Sequence, residues 1–204
     1  MLPYLVQGIA YGFAAAVQPG PFLTYLISLT LRCGWRRALP AVFAPLISDG
    51  PIILLVLFVL SHVPAWWVQF LRIAGGGFLL YLAVNALRAW RNYNAQAIQS
   101  SSAPSNLLRA ALVNLLNPNP YIYWGLVMGP LLLTAWREAP ANGVTLLLVF
   151  YLTMLSGMAG IMLLFALTRR MGSQVSRALL GLSALALAGF GFYQIWVGLS
   201  AYWG

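Results

Sequence analysis

The chain contains no lysine, one cysteine, one histidine and two acids, Asp49 and Glu138, in 204 residues. Charged residues make up 6% of it, where a water-soluble domain carries about 25%. So few charges cannot solvate a soluble surface. Disorder is excluded as well, because it needs low hydrophobicity and 62% of this chain is hydrophobic. A single cysteine, Cys33, rules out an internal disulfide and any multi-cysteine metal or redox site. His62, Cys33, Asp49 and Glu138 are the only His, Cys, Asp or Glu residues, and a metal centre takes three or more ligands from that set. A Ser-His-Asp triad would have to join His62, in a short outer loop, to Asp49, deep in an apolar run. The sequence therefore predicts no cofactor, no metal and no enzyme. The first basic residue is Arg32. A signal peptide needs a basic start, so the N-terminus reads as a membrane span.

What the chain does have is long apolar runs, with a mean hydropathy of +0.85. A spanning helix takes about 20 apolar residues. Six segments emerge, at about 2–31, 38–60, 66–90, 107–135, 143–168 and 178–202. The fold class is thus all-α integral membrane, as a single transmembrane domain over 1–204. The polar stretch at 92–105 reads as the only real linker. The net charge of +9 comes from arginines set between the apolar runs, which is a topology signal and not a nucleic-acid footprint. Arg32, Arg36, Arg37, Arg88, Arg91, Arg109, Arg169, Arg170 and Arg177 fall in loops on one side; Arg72 and Arg137 fall on the other. The positive-inside rule makes the arginine-rich side cytoplasmic and puts both termini outside.

The two halves, 1–91 and 106–204, look related. Span one is interrupted by Gln18-Pro19-Gly20-Pro21 and span four by Asn117-Pro118-Asn119-Pro120. Gly50 in span two matches Gly157 in span five, which sets Asp49 on Ser156. Gly77 to Tyr81 in span three matches Gly189 to Tyr193 in span six. Three spans per half is an odd number, so the repeats are inverted. Inverted repeats with interrupted helices at corresponding positions mark secondary transporters.

Proline lacks an N–H and clashes with the carbonyl four residues back. Pro19 and Pro21 should free the carbonyls of Ala15 and Val17, and Pro118 and Pro120 those of Asn114 and Leu116. Such carbonyls must face protein, water or ligand. A half-helix starting at mid-membrane offers N–H groups and a positive dipole end, which suit a carboxylate. Asp49 lies about 18 Å along a helix from Arg37, close to the midplane, and is the only acid in a span. An acid there is functional by default: it can exchange a proton, pair with an ammonium, or do both in turn. Tyr123 and Trp124, just past the second break, are cavity-lining candidates, as are Tyr81 and Tyr193. The candidate substrate-binding set is Gln18, Pro19, Gly20, Pro21, Asp49, Asn117, Pro118, Asn119, Pro120, Tyr123 and Ser156, with Asp49 as the proton-coupling group. Gly8, Gly12, Ala16 and Gly20 form a stripe for helix contact, internal or in a homodimer.

The sequence resembles the LysE/RhtB family of small bacterial amino-acid exporters. The likeness is carried by Pro19-Gly20-Pro21, Arg32 to Gly34, Ser48-Asp49-Gly50, the Leu71-Arg72…Gly76-Gly77-Phe78-Leu79-Leu80-Tyr81-Leu82 stretch, and Asn117-Pro118. The resemblance implies a six-helix fold in the inner membrane that exports amino acids or similar zwitterions by proton antiport. Where the family commonly has lysine after Asn-Pro, this chain has Asn119; where lysine is often found in span three, it has Arg72. Recognition of a substrate carboxylate is then left to backbone N–H groups or moves elsewhere. A cation or metal exporter and a non-transporting membrane scaffold are the alternative readings.

Overall fold

The computed structural model describes residues 1–58, 65–92, 103–168 and 173–200. His62, most of the polar linker, Arg169 and Arg170 lie outside the described residues. All regular structure among the described residues is helical. Helix α1 (Leu2–Val17) is followed by α2 (Pro21–Cys33). A short α3 (Trp35–Ala38) leads through a 3-10 turn (Leu39–Phe43) into α4 (Ala44–Phe58). Then come α5 (Ala65–Arg91) and α6 (Ala103–Leu115). Next, α7 (Pro118–Tyr123) passes through a π turn (Trp124–Met128) into α8 (Gly129–Glu138). The chain ends in α9 (Pro140–Thr168) and α10 (Ser173–Ser200). Among the described residues, four stretches are long and apolar enough to cross a bilayer: Trp35–Leu55, Arg72–Arg91, Pro140–Leu167 and Arg177–Ser200. The protein is a multi-pass membrane protein. Its large apolar side chains face outward in number, Leu126 being 75% exposed and Trp196 71%, as a lipid-facing surface requires.

Local chemistry explains where the helices end. A residue before proline is pushed out of the α region. Gln18 (ψ 117°) precedes Pro19, and the extended Gly20 (ψ −178°) precedes Pro21. Asn117 (ψ 124°) precedes Pro118. Pro21 and Pro118 then open the next helices, where a missing N–H costs nothing. Asn117 caps α7: its Oδ1 accepts the Asn119 N–H at 3.1 Å. At the end of α2, Gly34 turns the chain with φ 80°, a value that disfavours any side chain.

Small residues decide the packing. The Gly8–Gly12–Ala16 stripe lies on α9, so the contact is internal. A Cβ on Gly8 would sit 2.9 Å from Val149 Cβ, and one on Gly12 2.9 Å from Thr153 Cβ. Helices α5 and α10 meet at Gly76 and Gly191, where a Cβ on Gly76 would be 2.7 Å from the Gly191 carbonyl oxygen. Helix α6 packs against α4 and the 3-10 turn. The interrupted segments Gln18–Gly20 and Leu116–Asn117 sit among these pairs, and α4 and α9 flank them with the polar residues described next.

Candidate functional site

Asp49 on α4 is 5% exposed. Two neutral groups donate to its carboxylate. Asn114 Nδ2, from the end of α6, reaches Oδ1 at 2.8 Å. The Tyr151 hydroxyl, from α9, reaches Oδ2 at 3.0 Å. An ionised carboxylate only accepts, and here it finds donors from α6 and α9. Asn114 uses its second amide hydrogen on Ser48 Oγ at 2.8 Å. Ser48 in turn donates to the Ala44 carbonyl at 3.0 Å. Tyr123 donates to the Tyr11 carbonyl at 3.3 Å, which ties α7 to α1.

The carboxylate lies on the wall of a cavity of about 80 Å³, enough for roughly half a dozen water molecules. Eight of the residues expected from the sequence line it: Gln18, Pro19, Gly20, Asp49, Asn117, Asn119, Pro120 and Tyr123. Aromatic rings close the other side. Trp124 stands edge-on to Phe150 at 5.9 Å and stacked on Tyr151 at 6.4 Å, while Tyr123 stacks on Phe150 at 6.2 Å. Met154 and Met158 of α9 complete the lining with adaptable thioethers. Among the described residues, no three His, Cys, Asp or Glu come together.

Three of the expected residues do not line this cavity. Pro118 is buried at the head of α7, outside the lining. Pro21 is buried at the head of α2 and borders a separate tight gap with Gly75, Asn117 and Gln194. Ser156 is on the exposed face of α9. The reason is local: Gly157 meets Ala16 of α1, so the residue before it, about 100° around the helix, points away. Tyr81 and Tyr193 are 54% and 62% exposed and face outward rather than into the cavity. The Asn114 carbonyl is not free either, since it accepts the Asn117 N–H at 3.2 Å. Asn114, Tyr151 and Phe150 were not singled out from sequence. Asn114 alone carried a signal, as an amide inside an apolar run.

Gln194 of α10 is 6% exposed, and its Oε1 has no hydrogen-bond partner. A buried acceptor without a donor costs about 1–3 kcal/mol. Gln194→Leu is therefore expected to raise the thermal unfolding midpoint in detergent. A midpoint at or below the wild-type value would count against this account of the gap.

The helices thus enclose an aromatic-walled cavity between the two chain breaks, with one buried carboxylate on its wall. The sequence profile of the LysE type translocator family matches residues 13–197. The chain belongs to that family, and it is a membrane translocator. No curated protein and no solved structure matches it.

Proposed function

We propose that the protein is a secondary active exporter of amino acids or similar small zwitterions across the inner membrane of a bacterium, driven by proton antiport through Asp49. The observation that carries this reading is a buried carboxylate, held by the neutral donors Asn114 and Tyr151, on the wall of a cavity lined by both chain breaks. With no fixed cation among those donors, a substrate ammonium and a proton can compete for the carboxylate. Proton uptake would release the ammonium, and substrate binding would expel the proton. The substrate carboxylate would meet the N–H groups that open α2 and the helical run from Pro118.

The two halves of the chain support an inverted repeat. Setting Pro19 on Pro118 and Gly50 on Gly157 follows the sequence match. Ala16 and Gly157 touch across α1 and α9, a Cβ on Gly157 falling 2.7 Å from that of Ala16. Their counterparts are Leu115 and Gly50. One residue back, Asn114 and Asp49 are the pair joined at 2.8 Å. The contact of the first broken span with the second half's middle span thus recurs, with the halves exchanged. A two-fold axis in the membrane plane produces that reciprocity, and rocking about it alternates access. Nine arginines in the odd-numbered connections favour a cytoplasmic side there, with both termini outside.

Efflux from cells loaded with dipeptides tests the reading. One amino acid is expected to leave faster with the wild type, and Asp49→Asn is expected to abolish the difference. Unchanged efflux in the variant would remove Asp49 from coupling. If no amino acid responds, the cation-export and scaffold readings take precedence.

A further inference from the structure

We propose that the substrate carries an apolar side chain, and that Met154 and Met158 of α9 are the specificity-determining residues that receive it. The proposal rests on the exporter reading and adds which amino acids the site takes. Among the described residues, Asp49 is the only side chain in the cavity lining that is charged at neutral pH. An amino acid with a basic side chain brings two cationic groups and meets one carboxylate. An amino acid with an acidic side chain brings a second carboxylate and meets no fixed cation. In both cases one charge would be buried without a partner, which is strongly unfavourable. The side chain that fits is therefore neutral.

The wall then selects apolar over polar. The buried amides are already engaged. Asn114 spends both amide hydrogens, on Ser48 and on Asp49, and Asn117 Oδ1 holds the Asn119 N–H. Gln18 and Asn119 stand at the exposed rim. Deeper in, the surface is hydrocarbon and sulfur. Phe150, Met154 and Met158 recur every four residues, so they form one stripe on α9, and all three are buried. The stripe runs about 12 Å along the helix. It starts at Phe150, next to the Tyr151 that donates to Asp49, and leads away through the two thioethers. It continues as buried Leu146 and Met162, which lie outside the lining, so Met154 and Met158 are the part that faces the cavity. Helix α2, packed on α9, adds buried Phe22 to the lining. A molecule whose ammonium sits on Asp49 can lay its side chain along this stripe. Methionine is unbranched and polarisable and fits itself to irregular shapes, so straight, branched and thioether side chains are all accommodated.

Self-exchange in proteoliposomes of the whole chain tests this. Vesicles are loaded with one unlabelled amino acid at a time, and entry of the same amino acid in labelled form is measured. Leucine, norleucine and methionine are expected to exchange at least about tenfold faster than alanine, and lysine and glutamate not at all. Faster exchange of lysine, glutamate or serine than of leucine overturns the proposal and leaves the exporter reading standing. Exchange of none of them defeats the exporter reading, and this proposal with it. Met154→Ala and Met158→Ala are each expected to cut the ratio of leucine to alanine exchange by roughly tenfold. A merely structural defect would lower both rates together and leave the ratio alone. An unchanged ratio in both folded variants removes the methionines from the side-chain site. Should an alanine variant not fold, the nearly isosteric Met154→Gln or Met158→Gln takes its place, and it too is expected to lower the ratio. The wild-type panel decides the side-chain class without any variant.

Discussion

Replacing Asn114 with leucine is expected to abolish export as completely as Asp49→Asn and to lower stability by about 2–3 kcal/mol. The side chain is 6% exposed, and its amide holds Ser48 Oγ and Asp49 Oδ1, both at 2.8 Å. Leucine fills similar space and donates nothing. Ser48 keeps its own bond to the Ala44 carbonyl, so the loss falls on Asp49. A hydrogen bond to a charged group contributes about 1.5–3 kcal/mol, and stripping a buried acceptor of its donor carries the desolvation penalty too. Removing both partners should be milder, because neither member of that pair is then left unpaired, although the Tyr151 hydroxyl loses its acceptor. The Asp49→Leu, Asn114→Leu double variant is therefore expected to regain part of the lost unfolding midpoint while transporting nothing. Thermal unfolding in detergent and efflux from loaded cells give the two readouts. An Asn114→Leu protein that unfolds and exports like wild type would show that the amide is not what holds the carboxylate.

The elements were legible in the sequence because their signals are local. The apolar runs, Gln18-Pro19 and Asn117-Pro118 act through hydrophobicity and proline sterics within a few residues, and the helices end where those residues stand. Asp49 was legible as the one acid inside a span. Its surroundings were not. Whether Asn114 or Tyr151 faces Asp49 depends on how α6 and α9 are rotated against α4. Contacts far away in the chain set those rotations. Ser156 illustrates the limit. Its alignment with Asp49 follows the sequence match between the halves, but the Gly157–Ala16 contact turns it outward. Tyr81 and Tyr193, which that sequence match also pairs, turn outward together. The π turn at Trp124–Met128 was not legible either, because Gly129-Pro130 reads like any other helix irregularity until the Trp124 carbonyl is seen beside Gly129.

Two glycines should respond to enlargement with opposite signs, and the difference is expected to be the largest stability effect in the molecule. Gly12 lies where α1 presses on α9: a Cβ there would be 2.9 Å from Thr153 Cβ and would also meet the Phe150 carbonyl. Gly12→Val adds two further methyl groups to a contact already closed. Overpacking of that kind costs about 1–3 kcal/mol or more, and here the strain cannot stay local. Phe150 and Tyr151 sit on the same part of α9, and Tyr151 is the donor to Asp49. Lifting α1 also breaks the Tyr123 bond to the Tyr11 carbonyl. Loss of stability and loss of export should therefore arrive together. Gly160, on the same helix α9, has nothing within 4 Å of where its Cβ would fall. There Gly160→Ala only removes the backbone entropy of glycine, and it should stabilise the helix by about 0.8–1 kcal/mol with export unchanged. Unfolding midpoints of the two variants side by side decide the matter. If Gly12→Val matched the wild type, the α1–α9 contact would not be the close packing that holds Tyr151 on Asp49. The cavity would then owe its shape to the other helices alone.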